Sequence, residues 1–444
     1  MSQYKDKFSI MYLDEEDHVA EWIDSDDDEE YDDESDEDKM SIGNLVDDIA
    51  AMHVKKHGRD IQGIPFEEAI GGPRDIIRQR RLQEYVDIED VPNSGKIQKR
   101  NAHQQKKAKS TTSFSIHTRS MNVDIPHFQL RNLVWAETKH DVYLMGHFSV
   151  LHWSALTFER REIIDLLGHV KPSEEHYGNL EEGYFKPDVC SMAIKDNLLL
   201  AGGMKGEIIC KFLDCDGISY CCNPTPNNDE SCTYSLEIFE NPSGSMHFLA
   251  TSNDYHVRDF DVENFKICNI LSFPWFVNHT SMSPDGKLAI IVGDNIDGLV
   301  VNAISGQTLH NLRGHLDYSF ASAWNPDNLT FATGNQDRTC RIWDIRNLSK
   351  SIAVLCGNMG AIRSIRYTSD GKFMAMAETT DFLHIFDVGS GYKREQEVDL
   401  IGEIAGISFS PDTEALFVGM SDVRYNSLIE FRRQQSFSYL DTTL

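Results

Sequence analysis

The chain has 444 residues, 25% charged and 40% hydrophobic, and its 71 acidic residues against 42 basic ones give a net charge of −29. This negative charge repels a phosphate backbone, so we expect no nucleic-acid partner. Because no apolar run approaches the roughly 18 residues that cross a bilayer and the first residues lack a signal peptide's apolar core, we expect no membrane partner and a location in the cytoplasm, the nucleus or both.

The first 40 residues are predicted to be a disordered acidic tail. Between residues 14 and 38 there are 17 Asp and Glu residues and no Lys or Arg. Self-repulsion and low apolar content leave such a stretch without a core. Ser25 and Ser35 each precede an acidic run, so an acid-directed kinase could phosphorylate them. The alternative is an unmodified, solvated tail.

Residues 41–112 are predicted to be a weakly helical, basic linker. A first short helix is indicated by apolar residues at i, i+4 and i+7, namely Leu45, Ile49 and Met52. Gly58 would end it. A second helix is predicted from Pro73 towards Tyr85, with the proline in its first turn. Isolated helices this short are marginal in water, so we expect them to order by docking on the rest of the chain or on a partner.

The linker carries ten basic and five acidic residues between Arg74 and Lys109. Five of the basic residues are spaced somewhat like a split nuclear-import signal: Lys99, Arg100, Lys106, Lys107 and Lys109. The alternative is a basic linker that pairs transiently with the acidic tail.

From about residue 130 the chain consists of short β-branched and aromatic runs separated by turn residues, with a period near 40 residues. The clearest unit runs from Gly314-His315 to Trp343-Asp344 and predicts three strands, with a fourth after Arg346. Seven units are predicted, although six or eight remain open, and they lie near residues 130–168, 187–224, 231–273, 274–315, 316–357, 358–402 and 403–444.

On these residues the chain resembles the WD-repeat family, whose Gly-His, turn aspartate and Trp-Asp ending recur at this spacing. The resemblance implies an all-β fold, a seven-bladed β-propeller over residues 113–444. It also implies a hydrogen-bonded chain across the clearest blade, formed by His315, Thr333, Asp337 and Trp343. We expect a structural role for this chain, because a buried polar network stabilises a fold only when every member has a partner.

A ring of sheets needs its two ends joined, and closure usually takes a strand from the opposite terminus. The alternating run Phe114–Thr118 could supply it, or residues 437–439 could complete the last blade. The sequence leaves both open.

The whole arrangement also resembles a group of uncharacterised plant and fungal WD-repeat proteins that have an acidic N-terminus. The matching segments are Asp60–Phe66, Arg80–Tyr85 and Phe128–Trp135. This resemblance supports the architecture and assigns no activity.

We expect a protein-interaction scaffold and not an enzyme. The sequence has no phosphate-binding glycine loop and no Gly-x-Ser-x-Gly motif, so no catalytic residue or cofactor is predicted. No metal site is predicted either, because five clustered cysteines lack Cys-x-x-Cys spacing, namely Cys210, Cys215, Cys221, Cys222 and Cys232. A less favoured alternative is an enzyme with its site in the central channel.

One motif suggests a more specific partner. Asp344 and Arg346 complete a Trp-Asp-x-Arg box, and the family resemblance implies that such blades can dock on the adaptor of a cullin-4 RING ubiquitin ligase. Arg346 would then offer its guanidinium to a carboxylate. The favoured alternative is a local salt bridge at the rim of the blade, and the identity of any protein partner stays open.

Overall fold

The computed structural model describes residues 49–50, 62, 64, 72–101, 114–173, 180, 182–225, 231–422 and 426–433. All of them belong to one compact unit, Asp47–Leu444. Its N-terminal part contains β1 (Ile49–Ala50), α1 (Arg74–Glu84), α2 (Ser94–Asn101) and β2 (Phe114–Ser120). Neither these helices nor any other in the described ranges is long and apolar enough to cross a membrane.

Five antiparallel sheets, each of four strands in chain order, follow. Sheet 1 contains β3 (Val134–Ala136), β4 (Asp141–Gly146), β5 (Ser149–Ser154) and β6 (Arg160–Asp165), and a short pair follows it, β7 (His169–Val170) and β8 (Tyr184–Phe185). Sheet 2 contains β9 (Val189–Lys195), β10 (Leu198–Gly203), β11 (Ile208–Phe212) and β12 (Tyr220–Cys222). Sheet 3 contains β13 (Thr233–Glu240), β14 (Met246–Ser252), β15 (His256–Asp261) and β16 (Lys266–Ser272). Sheet 4 contains β17 (Val277–Met282), β18 (Leu288–Gly293), β19 (Gly298–Asn302) and β20 (Thr308–Leu312). Sheet 5 contains β21 (Ser319–Trp324), β22 (Thr330–Asn335), β23 (Thr339–Asp344) and β24 (Ala353–Cys356).

Sheet 6 has eight strands because one long strand belongs to two sets of partners. It contains β25 (Ile362–Tyr367), β26 (Phe373–Glu378), β27 (Thr380–Asp387), β28 (Arg394–Phe409), β29 (Ala415–Ser421) and β30 (Ser427–Arg433), with β2 and β1 at its far edge. Residues 394–399 of β28 pair with β27, and residues 404–409 pair with β29. Gly402 lies between the two halves at φ +123°, a conformation that side-chain-bearing residues rarely adopt.

The six sheets form a closed ring. The first strands of neighbouring sheets contact one another from β3 through β9, β13, β17, β21 and β25, and β28 contacts both β25 and β3. At the closing contact a Cβ on Gly406 would lie 3.0 Å from the backbone nitrogens of Leu133 and Val134, so glycine allows the two strands to approach. The result is an all-β propeller.

The hydrophobic core is a series of layers between neighbouring sheets. One buried cluster joins sheets 2 and 3, and others join sheets 3 and 4, 4 and 5, and 5 and 6. A further cluster links sheet 1 to sheet 2 and to the C-terminal strands of sheet 6. Neighbouring sheets therefore bury their faces against one another, as in other repeat architectures, and sheet 6 also buries an apolar layer between its own two halves.

The repeated turn in the sequence has a physical explanation. The side-chain hydroxyls of Ser283, Thr368 and Ser410 each donate to the aspartate two residues later, over 2.7, 2.7 and 2.6 Å. These turns join the first and second strands of their units. The same three hydroxyls accept the backbone N–H of Leu288, Phe373 and Ala415 at 2.9, 3.0 and 2.9 Å, so each turn is fixed by its own side chains.

Ring closure, which the sequence left open, is made by the N-terminal strand. β2 pairs with β30 in antiparallel register over seven residues from Phe114 to Ser120. Residues 437–439, the alternative, lie outside the described residues. β24 is the strand expected after Arg346.

The helix predicted through Leu45, Ile49 and Met52 is wrong at its centre. Ile49 and Ala50 form a strand paired with residues 117 and 118 of β2, because the exposed edge of β2 offers backbone partners that outweigh a weak local helical pattern. Leu45, Met52 and Gly58 lie outside the described residues.

All nine cysteines are free thiols. Cys210, Cys221 and Cys222 lie buried in the strands of sheet 2, where burial raises the pKa of each thiol. Within the described ranges the one group of side chains close enough to share a cation is His384, Glu395 and Glu397, and it contains no cysteine.

Candidate functional site

The candidate site is the upper face of the ring, the side with the turns between the second and third strands of each sheet. In sheet 5 it comprises residues 336–338 and the entering segment 313–318. The four residues assigned to the structural chain come together there. His315 contacts Asp337 through Nδ1 (3.1 Å) and Thr333 Oγ1 through Nε2 (2.9 Å), and the Trp343 indole N–H donates to the same oxygen (2.9 Å).

The four residues of this hydrogen-bonded chain are buried, and the protonation of Asp337 is set by its partners. Asp337 also accepts from the Thr339 hydroxyl at 2.6 Å and the Leu316 N–H at 2.9 Å. Burial alone would raise the pKa of Asp337, but its interactions with His315 and Thr339 outweigh burial and hold the pKa below its usual value. The ionised carboxylate can therefore accept from His315 Nδ1–H, which leaves Nε2 to accept from Thr333.

The second predicted pair lies on the opposite edge of sheet 5. Arg346 donates to Asp344 through Nε at 2.9 Å and through Nη2 at 2.6 Å, which is a bidentate pair within one turn. The Arg346 side chain is 66% exposed. Its carboxylate partner is thus supplied by its own chain.

A segment of the linker crosses the upper face, and we call residues 72–101 the strap. Just before it, Gln62 forms two hydrogen bonds with the backbone of Ile401, accepting from its N–H (2.6 Å) and donating to its C=O (2.8 Å). Ile64 is buried against Ile401, with Ile77 of α1 packed beside them. The linker is therefore docked on the ring, one of the two modes of ordering that its short helices predicted.

Helix α1 docks through arginines at i, i+4 and i+7, which lie on one side of a helix. Arg78 donates to Asp381 at 2.6 Å and to Asp399, and Arg81 binds both oxygens of Asp381 at 2.7 Å. Arg74 donates to the backbone of Asp399 at 2.7 Å. Asp381 is fully buried, and although burial raises its pKa, the arginines lower it further than burial raises it.

The remaining strap docks on sheet 5. Arg338 donates to Asp87 at 3.2 Å, and Asp317 accepts from the Val91 N–H (3.1 Å) and the Ser94 hydroxyl (2.7 Å). In α2, the Gln98 amide donates to Asp337 of the buried chain at 3.2 Å. The strap therefore covers the upper face over sheets 5 and 6.

The transient pairing of this linker with the acidic tail stays a prediction, because the tail lies outside the described residues. Arg74, Arg78 and Arg81 pair with aspartates of sheet 6, because that sheet places Asp381 and Asp399 side by side on adjacent strands. Lys99 and Arg100 lie in α2, whereas Lys106, Lys107 and Lys109 lie outside the described residues, as do Ser25 and Ser35. The import signal and the phosphorylation sites stay predictions.

The sequence analysis missed a buried triad in sheet 6. His384 Nε2 lies 2.8 Å from Glu378 and Nδ1 lies 2.6 Å from Glu395. Glu378 also accepts the backbone N–H groups of residues 358–360 at 2.5–2.7 Å. Burial lowers the pKa of His384, but hydrogen bonds to the two glutamates outweigh it and raise the pKa to about 9. The sequence feature that could have indicated this triad is a histidine inside the apolar run of β27.

The upper turns of sheets 1 to 4 form the rest of this face. We call the part that belongs to sheets 2, 3 and 4, namely residues 203–206, 253–256 and 294–297 together with Phe276, the open sector. Among the described residues no hydrogen bond or ion pair joins the strap to it. Large apolar side chains at these turns are exposed, namely Met204 by 36%, Tyr255 by 45% and Ile296 by 41%. The upper face is therefore divided into a covered part and an open part.

The lower end of the central channel holds a cavity of about 340 Å³. Trp135, Trp324 and Tyr367 contribute its aromatic wall, and Glu237 is the one carboxylate among the lining side chains. Arg366 lies over the Trp135 ring at 4.7 Å.

Comparison with known proteins places the chain among repeat proteins. The family described as "WD domain, G-beta repeat" matches residues 306–344. An uncharacterised protein of Schizosaccharomyces pombe is 24% identical and aligns over 66% of this chain and 81% of its own length. An uncharacterised WD repeat-containing protein of Synechocystis is 32% identical, over 30% of this chain and 37% of its own length. A chain in a crystal structure of the mitotic checkpoint complex is similar in fold, with a TM-score of 0.58 and 16% identity over 74% of this chain and 96% of that chain.

Replacing Thr333 by Val should lower the free energy of unfolding by about 2–3 kcal/mol. The change leaves His315 and Trp343 without their shared hydroxyl inside the core. Urea denaturation of the full chain measures it. Thr308→Val, at an exposed position of β20, is the matched control and should change little. Equal stability of the two variants would contradict a structural role for the hydrogen-bonded chain from His315 to Trp343.

Replacing Arg78 by Ala should release the strap. The change leaves Asp381 buried with one arginine in place of two, and breaking a buried ion pair costs about 3–5 kcal/mol. We expect faster amide hydrogen exchange across residues 74–84 by mass spectrometry. Arg80→Ala, at an exposed position of the same helix, is the control. Unchanged exchange in the Arg78 variant would show that the ion pairs do not hold the helix.

Stability should depend on pH through His384. Its pKa is about 9 in the folded chain and near 6.5 in the unfolded one, so the charged histidine stabilises the fold fully below pH 6.5. That contribution is lost as the pH rises through 9. The difference in unfolding free energy between the wild type and His384→Gln should therefore shrink from pH 6.5 to pH 9.5. A constant difference would exclude a charged His384.

Proposed function

This chain is a WD-repeat β-propeller protein, and from that premise we propose that it is a non-enzymatic scaffold that binds other proteins on the open sector of its upper face. Propellers of this kind typically act as protein-interaction scaffolds. A closed ring holds its loops on a rigid base, and loops on a rigid scaffold commonly carry binding residues.

The division of the upper face carries the proposal. Over sheets 5 and 6 the face is occupied by the strap, whose Arg78 and Arg81 are paired with a fully buried aspartate. Over sheets 2 to 4 the turns expose Met204, Tyr255 and Ile296. Large apolar side chains on neighbouring exposed loops are typical of interaction surfaces. A partner therefore has the open sector available without displacing the strap.

We further propose that the ring has seven blades, with sheet 6 supplying two of them. β28 pairs with β27 through one half and with β29 through the other, and Gly402 lies between the halves. β25, β26, β27 and the first half of β28 would be one blade. The second half of β28 with β29, β30 and β2 would be the seventh, closed by the N-terminal strand.

For Arg346 we propose a local role in its turn. Its guanidinium is engaged by Asp344 through two hydrogen bonds, so docking on a cullin-4 ligase adaptor would first require this pair to open. No described contact favours that docking, and the scaffold proposal does not depend on it.

Site-directed photo-crosslinking tests the scaffold. A photoreactive phenylalanine analogue replaces Tyr255 in the open sector, Leu82 on the strap, or Leu156 in the lower turn between β5 and β6, all exposed positions. In native cells we expect discrete protein adducts at Tyr255, and fewer at the other two.

Two outcomes would contradict the proposal in different ways. No adduct at any of the three positions would remove the scaffold function. Adducts confined to Leu156 would keep a scaffold but move its binding surface to the opposite edge of the ring.

A further inference from the structure

The open sector combines an aromatic surface with a neighbouring carboxylate. The rings of Tyr255 and Phe276 lie 4.8 Å apart, and Tyr255 is exposed. The backbone carbonyl of Phe276 accepts the N–H of Asp294 at 2.9 Å, which holds the backbone of this aspartate next to that of Phe276. Aromatic residues of this kind often form the energetic centre of a binding surface.

Asp294 belongs to a group of carboxylates on which the buried Arg363 guanidinium acts without forming an ion pair. The Asn278 amide donates to it at 2.9 Å, and within the described residues no Lys, Arg or His lies within ion-pair distance of Asp294 or Asp90. Burial and the charges of Asp317 and Asp294 raise the pKa of Asp90 to about 6, and burial raises the pKa of Asp294. The charge of Arg363 lowers both pKa values but does not offset these effects. A cation brought to this place would relieve the repulsion between the carboxylates.

The strap shows how the same face binds a cation. The Arg78 guanidinium lies over the Phe382 ring at 4.7 Å and donates to Asp381 at 2.6 Å. Asp381 and Phe382 lie just after the turn between the second and third strands of their unit, and Tyr255 and Asp294 lie within the corresponding turns of sheets 3 and 4. An aromatic ring beside an aspartate is therefore already used by this chain as an arginine site.

We infer that the open sector binds an arginine-bearing basic segment of another protein, with the guanidinium held between Asp294 and the rings of Tyr255 and Phe276. The inference rests on the proposed scaffold function and names the partner's chemistry. Arginine suits the place better than lysine, because its planar guanidinium can stack on a ring and donate to a carboxylate at the same time. The net charge of −29 also favours a basic partner and opposes a phosphate-rich one.

The test uses the full chain immobilised and four pools of randomised nonapeptides, each with Arg, Lys, Glu or Leu fixed at the centre. We expect the Arg pool to be retained about tenfold more than the Glu pool, and more than the Lys pool. Retention should fall as salt is raised from 50 to 500 mM, because screening weakens exposed charge pairs.

Two pairs of variants locate the site. Asp294→Asn and Tyr255→Ala should each reduce retention of the Arg pool about five- to tenfold. Glu263→Gln, in the β15–β16 turn at the lower edge, is the control for Asp294→Asn. Phe158→Ala is the control for Tyr255→Ala, because Phe158 is an exposed aromatic residue at the lower edge and has a positive φ, as Tyr255 does. Both controls should retain the pool as the wild type does.

Absence of selection for arginine would overturn the inference, and so would selection that survives both Asp294→Asn and Tyr255→Ala. Neither result bears on whether crosslinked partners form at Tyr255 in cells. Failure here with crosslinks present would leave a scaffold whose partners are recognised by other chemistry. Failure of both experiments would remove the scaffold as well.

Discussion

Closure of the ring is the constraint on which the rest of the structure depends. A row of stacked sheets leaves an unburied face at each end, and this chain removes both ends by pairing β2 with β30 and packing β28 against β3. Gly406 permits the second contact. Because the closing strand comes from the N-terminal side, the segment that precedes it is brought to the ring. The strap is therefore a consequence of how the ring is closed.

The strap binds the ring with charged side chains facing inward and apolar side chains facing solvent. A helix on a protein surface usually buries an apolar stripe and exposes its charges, whereas α1 turns Arg78 and Arg81 inward onto a buried aspartate and leaves Ile76 and Leu82 exposed. Buried charges are tolerated when they are paired and hydrogen-bonded, and Asp381 meets both conditions. The cost of burying these groups makes the docking position specific, and the open sector lies in the part of the face that the strap leaves uncovered.

The sheets keep their loops in place by different chemistry. In sheet 5 a chain from His315 to Trp343 joins the entering loop to the third strand. In sheet 6 the entering loop is held by Glu378, which accepts three backbone N–H groups and is itself held by His384. Both arrangements satisfy buried polar groups between the same two parts of the sheet. A repeat can therefore lose its signature residues and keep its geometry.

The sequence by itself determined the strands and their repeated turns, because these depend on the alternation of side chains and on contacts within one unit, such as Ser283 with Asp285. The residues of the hydrogen-bonded chain in sheet 5 were implied by the resemblance to the WD-repeat family. Only the tertiary structure decided which terminus closes the ring, that Ile49 joins a strand, and where α1 docks. Arg78 and Asp381 are 303 residues apart, and no local pattern relates them. Their pairing follows from the closed ring, which brings the N-terminal segment to the edge of sheet 6, where Asp381 and Asp399 lie on adjacent strands.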